Sequence, residues 1–285
     1  MPNTFTKVSA DSADTASGIS QRRNNTIMFV IGEKINALNT AVYESIVSGD
    51  FSPIVSLAIL QAESGADALD INFGPDIKNG EAIMKELVML IKQHVDVPLC
   101  LNGTPEIIEA GLAAHKGRAI INGVTGERER MERLLDLAHE FNASVIGMAV
   151  PGNGYAECTD SRCVIAVDIA EQATRRGIDV SDIYMDPVLS SFAVSPDALL
   201  NAAGSIRAFK EMLPGVKTLV GLSNISQGIR KKNRHIINNT TLGVMAGAGL
   251  DAAILNPLDR VVTETSKTLK LLCRSGVYCD AYLCG

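Results

Sequence analysis

The feature that most constrains this chain is an eightfold alternation of short apolar runs with longer amphipathic stretches. The apolar runs predict strands near Thr26–Ile31, Ala66–Phe73, Val97–Leu101, Arg118–Ile121, Ser144–Ala149, Asp182–Met185, Lys217–Leu222 and Ala252–Leu255. The stretches between and after them predict helices over Pro53–Ser64, Gly80–His94, Pro105–Ala114, Glu127–Phe141, Asp160–Arg176, Pro196–Met212, His235–Ala248 and Arg260–Cys273. Short apolar runs bounded by turn residues suit strands buried on both faces, and helix-length connections suit parallel crossovers. Eight such units in 285 residues favour a closed (β/α)8 TIM barrel over residues 26–285, with residues 1–25 as a polar N-terminal arm. A doubly wound open sheet is the alternative. It lacks its best marker, because no Gly-x-Gly-x-x-Gly follows the first strand.

Local signals agree with this division. Thr104 precedes Pro105 at the start of one helix, and Thr125 precedes Glu127 and Glu129 at the start of the next. Gly65, Gly177 and Gly249 each follow a helical stretch where a left-handed cap belongs. Hydrophobic residues make up 46% of the chain, aromatics only 4%, and Trp is absent. That balance fits layered aliphatic packing inside a barrel.

Several classes of function are disfavoured. The formal net charge of −6 and the lack of a long basic run argue against nucleic acid as a partner. No apolar run reaches the roughly 20 residues of a membrane span. Six cysteines occur without a Cys-x-x-Cys pair, and no signal peptide is evident, so free thiols and a cytoplasmic setting are expected. Cys158 and Cys163 read as residues of a polar loop whose spacing matches no zinc framework, so no metal site is expected. The four histidines read as solvated residues at helix ends or in loops. The basic cluster Arg230-Lys231-Lys232 with Arg234 reads either as a solvated loop or as an anion contact.

The strand ends carry the chemistry. The first leads to Gly32-Glu33-Lys34-Ile35-Asn36. The second carries Asp70 and Asn72, two residues apart and therefore on one side of the strand. The third ends at Asn102, the fourth at Asn122, the sixth at Asp186-Pro187, the seventh at Ser223-Asn224 and the eighth at Asn256-Pro257. C-terminal strand ends share one face of a barrel, so these groups are expected to meet. Carboxylates accept from paired N–H donors, and amides both donate and accept. The set suits a flat, nitrogen-rich heterocycle. An N-cap or Asx turn is the structural alternative for any single Asn or Asp, most of all for Asn102, Asn122 and Asn256.

Five segments together resemble the pterin-binding methyltransferase family. They are Ile31-Gly32-Glu33-Lys34-Ile35-Asn36, Leu69-Asp70-Ile71-Asn72-Phe73-Gly74-Pro75, Ile121-Asn122-Gly123, Tyr184-Met185-Asp186-Pro187 and Gly221-Leu222-Ser223-Asn224-Ile225-Ser226-Gln227. The family includes methyltetrahydrofolate:corrinoid/iron–sulfur protein methyltransferase and the folate domain of cobalamin-dependent methionine synthase, with dihydropteroate synthase a more distant relative on the same barrel. The resemblance implies a dihydropteroate-synthase-like barrel that moves a methyl group between N5 of (methyl)tetrahydrofolate and the cobalt of a cobalamin. No cobalamin module is recognisable here, so a separate corrinoid protein is the implied partner, and a homodimer is implied by analogy. The implied roles are pterin pairing for Asp186, further pterin contacts for Asn122, Asn102, Asp70, Asn72, Ser223 and Gln227, and a hydrogen bond near N5 for Asn224. Glu33 and Arg234 are candidate additional contacts. Asn102 departs from the Asp that the resemblance leads one to expect in its Leu-Asp-Ser-Thr context. That departure is compatible with the branch that carries methyl from a corrinoid protein to tetrahydrofolate in O-demethylase systems. Dihydropteroate synthase and a non-catalytic folate-binding protein are the alternatives; the first is disfavoured because the seventh and eighth strand ends are not basic.

Overall fold

The computed structural model describes residues 28–74, 77–152, 154 and 158–272. The expected N-terminal arm, Pro75, Cys273, Cys279 and Cys284 lie outside the described residues. Eight parallel strands close into one barrel in sequence order. They are β1 (Phe29–Asn36), β2 (Ala68–Asn72), β3 (Leu99–Asn102), β4 (Ile120–Val124), β5 (Ser144–Met148), β6 (Ile183–Asp186), β7 (Lys217–Gly221) and β8 (Ala252–Leu255). The helices are α1 (Thr40–Ser48), α2 (Ser52–Glu63), α3 (Gly80–Ile91), α4 (Pro105–Ala114), α5 (Arg128–Glu140), α6 (Thr159–Arg175), α7 (Ala198–Met212), α8 (Lys231–Ala248) and α9 (Arg260–Leu272). None of the helices among the described residues is long and apolar enough to cross a membrane.

The barrel expectation holds, with local differences. α1 was not anticipated; it is nine residues long, capped by Asn39, and buries only Val42, Ser45 and Ile46. β1 runs on through Gly32-Glu33-Lys34-Ile35-Asn36, past Ile31 where the predicted strand ends. A register irregularity between Gly32 and Ile35 makes this extension fit β2. Gln61 of α2, fully buried, holds it there: its Oε1 accepts from the Lys34 N–H at 2.9 Å. A Cβ on Gly32 would stand 2.6 Å from that oxygen, so only glycine leaves room for it. Most of the caps match the reading, but α5 is capped by Glu127, whose side chain accepts from the Glu129 and Arg130 N–H groups, with only Glu129 in the first turn. Thr104 accepts from the Ile107 N–H, and Gly65, Gly177 and Gly249 all have positive φ.

Side chains inside the barrel form layers. One layer is apolar: Ile31, Cys100, Ile120, Ile146, Tyr184 and Leu219, completed by the small Ala68 and Ala252. Below it, at the strand starts, the Phe29 and Tyr184 rings lie 6.2 Å apart, and Lys217 Nζ sits 4.9 Å from the Tyr184 ring centroid. These groups seal the floor. Strand side chains alternate with period two. Two residues beyond the apolar layer therefore come Glu33, Asp70, Asn102, Asn122, Asp186 and Gly221, all facing inward at the opposite end.

Candidate functional site

The polar layer at the C-terminal strand ends holds several separate hydrogen-bonded contacts. Asn122 Nδ2 donates to Asp70 Oδ1 at 2.9 Å, reaching from β4 to β2 across Cys100. Asp70 is 4% exposed, Asn122 6% and Asp186 6%. Asn122 is thus neither a cap nor a turn residue, the alternative raised for it from sequence. Burial, opposed by the hydrogen bonds of Asn122 and Cys100, raises the Asp70 carboxyl from 3.8 to about 6. The same burial, with the Asp70 charge beside it, pushes the Cys100 thiol well up.

Asp186 ends β6. Burial raises its carboxyl from 3.8 to about 7, against backbone hydrogen bonds from Val188 and Gly221 and the charge of Arg162. The Val188 N–H donates to Asp186 Oδ1 at 2.7 Å. Val188 does this from φ 59°, a left-handed conformation that a β-branched residue rarely adopts. Strain of this kind persists where the surrounding structure enforces it, and it gathers at functional sites.

The segment after β7 differs from expectation. Ser223 and Asn224 do not end the strand; they lie on a 3-10 turn over Leu222–Ser226. Ser223 Oγ donates to Glu33 Oε1 at 2.7 Å, joining the turn after β7 to β1. Burial raises the Glu33 carboxyl, with the Ser223 bond opposing it. Gln227 Nε2 donates to Asn224 Oδ1 at 3.0 Å. Asn224 folds back over Gly221, where an added Cβ would stand 3.0 Å from its Nδ2.

Other expected members are placed less centrally. Asn36, Asn72 and Asn102 form one row across β1, β2 and β3. Asn72 Oδ1 accepts from the Gly74 N–H and Asn256 Oδ1 from the Leu258 N–H, so both are Asx turns. The Asn102 side chain is half-buried and makes no hydrogen bond among the described residues. Arg234 lines a cavity together with Glu33, Ser223 and Gln227, with Nε donating to the Ile229 carbonyl. Two expectations need correction. Cys163 is not in a loop; it is a buried residue of α6, whose exposed N-cap is Cys158. His115 is half-buried, and its Nε2 accepts from the Leu99 N–H at the start of β3, so it is not simply solvated. Among the described residues no cluster of three His, Cys, Asp or Glu side chains could hold a metal ion.

Two arginines escaped the sequence reading. Arg130 of α5 donates to the carbonyls of Gly103 at 2.9 Å and Gly123 at 3.3 Å, tying together the turns that follow Asn102 and Asn122. Arg162 of α6, 8% exposed, donates to Ser205 Oγ and leaves its Nε without a hydrogen bond. Neither lies in a motif, and both sit on helices where an Arg usually faces solvent.

Comparison with known proteins agrees with the geometry. The chain is 27% identical over 236 residues to a methylcorrinoid:tetrahydrofolate methyltransferase of Eubacterium limosum, covering 82% of this chain and 86% of that one. It is 28% identical over 254 residues to methionine synthase of Mycobacterium leprae, covering 83% of this chain but only 21% of that longer protein. Among solved structures, dihydropteroate synthase from Xanthomonas albilineans in complex with 7,8-dihydropteroate superposes with a TM-score of 0.69 at 20% identity, over 89% of this chain and 96% of that one. The model of the pterin binding enzyme family matches residues 32–256, from β1 to just past β8. Within that span eight strands close the barrel, five of them carry the polar layer at its C-terminal end, and the chain belongs to the pterin-binding enzyme family.

Proposed function

We propose that this protein transfers a methyl group between the cobalt of a separate corrinoid protein and N5 of tetrahydrofolate, running from methylcorrinoid to folate. The observation that carries the reading is the buried pair Asp186 and Asp70, both raised toward neutrality because neighbours return less than burial removes. A flat ring with an N–H edge supplies the missing donors. Similarity to the Eubacterium limosum protein supports the reaction and its direction. In this reading Asp186 pairs with the pterin N–H edge, Asn122 and Asp70 form the wall beside it, and Asn102 and Asn72 border the mouth. Asn224, on the segment after the neighbouring strand, stands at N5.

The transfer balances as follows. The N5 lone pair forms the new N–C bond, the electron pair of the cobalt–carbon bond stays on cobalt, which passes from Co(III) to Co(I), and the N5 proton is released. In reverse, the electron pair returning to N5 must meet a proton or a donor. An amide contact that strengthens as charge develops lowers the barrier for either direction. Single-turnover mixing with methylcob(III)alamin and tetrahydrofolate, followed at the cobalt absorption bands, tests this. Wild type should transfer methyl, and Asn224→Ala should slow transfer on the order of 10²-fold with a far smaller change in folate affinity. Absence of transfer in both directions sinks the proposal.

A further inference from the structure

Arg162 is a buried cation without a contact anion. It lies in the first turn of α6, which begins after the end of β5 and packs against β5 and β6. In a closed parallel barrel that turn stands at the mouth, level with Asp186 at the end of β6. An arginine only 8% exposed ordinarily meets a carboxylate at contact distance, because an unpaired buried charge is costly. Arg162 belongs to none of the ion pairs among the described residues. Its guanidinium is moored to α7 instead. One terminal nitrogen donates to Ser205 Oγ at 3.3 Å. Ser205 is fully buried and is fixed in turn by donating to the Asn201 carbonyl at 2.9 Å. The Arg162 Nε is buried with no acceptor.

Two acidic groups act on this cation, the Asp186 carboxyl and the Cys158 thiol at the exposed start of α6. Seen from Asp186, Arg162 is the side-chain charge that opposes burial, beside the backbone N–H groups of Val188 and Gly221. Other charges nearby are exposed or engaged. On α6, Asp160 is exposed and Asp168 pairs with Arg128; on α7, Arg207 is exposed and Lys210 pairs with Asp251. Asp197 before α7 is exposed. The strand neighbour on β5 is the neutral Met148. Lys217 and Asp182 lie at the floor with Tyr184 and Arg118, and Asp70 is bonded to Asn122 across the barrel.

The offset has a use. A contact pair would lay the guanidinium fork across both carboxylate oxygens. Held back on Ser205, the same cation acts through a buried medium, where a charge is felt more strongly than in water, and the carboxylate edge stays open to a ligand. We propose that Arg162 is a positioning residue for Asp186: it favours the ionised carboxylate that receives the pterin N–H edge, without occupying the oxygens that the ring needs. The inference rests on the pterin reading above. Ser205 thereby becomes the anchor that keeps the cation off the carboxylate.

Titration calorimetry with tetrahydrofolate from about pH 6 to about pH 9 tests this. The Asp186 carboxyl titrates at about 7, so wild-type affinity should weaken as pH falls through that value. Arg162→Gln keeps a donor for Ser205 and removes the charge. It should bind about five- to tenfold more weakly than wild type at the acid end and within about twofold of it at the alkaline end. Arg162→Lys keeps the charge and should follow the wild-type profile within about twofold throughout. Ser205→Asp gives the guanidinium a contact partner and cancels its charge at Asp186. It should reproduce the Arg162→Gln profile with Arg162 in place, and it carries the test if Arg162→Gln does not fold. A loss of equal size at every pH, or no loss in these variants, overturns the role of Arg162 alone. A wild-type affinity that is flat across the range overturns the ionised Asp186 pairing and this inference with it. Failure of wild type to bind tetrahydrofolate at any pH overturns the pterin reading as well.

Discussion

Asp186 is held by a neighbour in a conformation that the neighbour's own side chain resists. Val188 aims its N–H at the carboxylate from the left-handed region, which costs a non-glycine residue about 1–2 kcal/mol. The carboxyl itself is costly to ionise, since a shift from 3.8 to about 7 is worth roughly 1.4 kcal/mol per unit. The sign follows from proton counts. Between pH 4 and 7 the folded state holds a proton that the unfolded state has lost, so the contribution of this group is present at low pH and falls as pH rises through the folded value. Asp186→Asn keeps the acceptor for Val188 and removes the titration. Between pH 5 and 8 the wild type should lose about 2–3 kcal/mol relative to the variant, and the variant should lose pterin affinity. Denaturant unfolding at the two pH values measures the first, and a pH-independent difference would refute it. Asp186 itself was legible, because Met185-Asp186-Pro187 ends an apolar run. The strain at Val188 was not, since nothing in the sequence marks a positive φ at a valine. The burial of Arg162 was equally hidden, because helical position alone does not say which neighbours an arginine meets.

At the scale of elements, period two does most of the work. Once Ile31, Ala68, Cys100, Ile120 and Tyr184 face inward, the next inward position on each of those strands is fixed, and those positions are Glu33, Asp70, Asn102, Asn122 and Asp186. This is why the candidate site could be read before the fold was seen. The exceptions have local causes. β1 extends through a polar stretch because Gln61 takes the Lys34 N–H, a contact between elements that no local pattern reports. α1 is too short to show a clear periodicity. His115 lies where a loop is expected, and only the neighbouring strand gives it a donor. Arg130 is the main unread support, since it bridges the turns after β3 and β4. Arg130→Met keeps much of the packing volume and removes both bonds. It should cost about 1–3 kcal/mol, and amide exchange should accelerate at residues 102–104 and 122–124. Protection there equal to wild type would show that the turns hold without it.

At the scale of the whole molecule, two apolar sectors lie outside the barrel, the larger beneath α1 to α6 and the smaller beneath α7 to α9, with the inward-facing layers inside. Closure was legible as a count of eight units, and the match over residues 32–256 spans nearly all of it. The floor was not legible. Phe29, Tyr184 and Lys217 are far apart in sequence, and only the closed ring places them together. That plug has a kinetic meaning. A barrel stopped at one end has a single door, and in the proposed reaction both the folate and the corrinoid protein must use it. With one shared door, folate is expected to be seated first and to leave after the partner has gone, so turnover should be ordered like a queue. Initial rate against partner concentration should rise and then decline as a second visitor shuts the first one in; a plain hyperbola at every folate concentration would rule the queue out. Under that order, the ceiling on turnover is set by how quickly two proteins separate rather than by how quickly a methyl group moves.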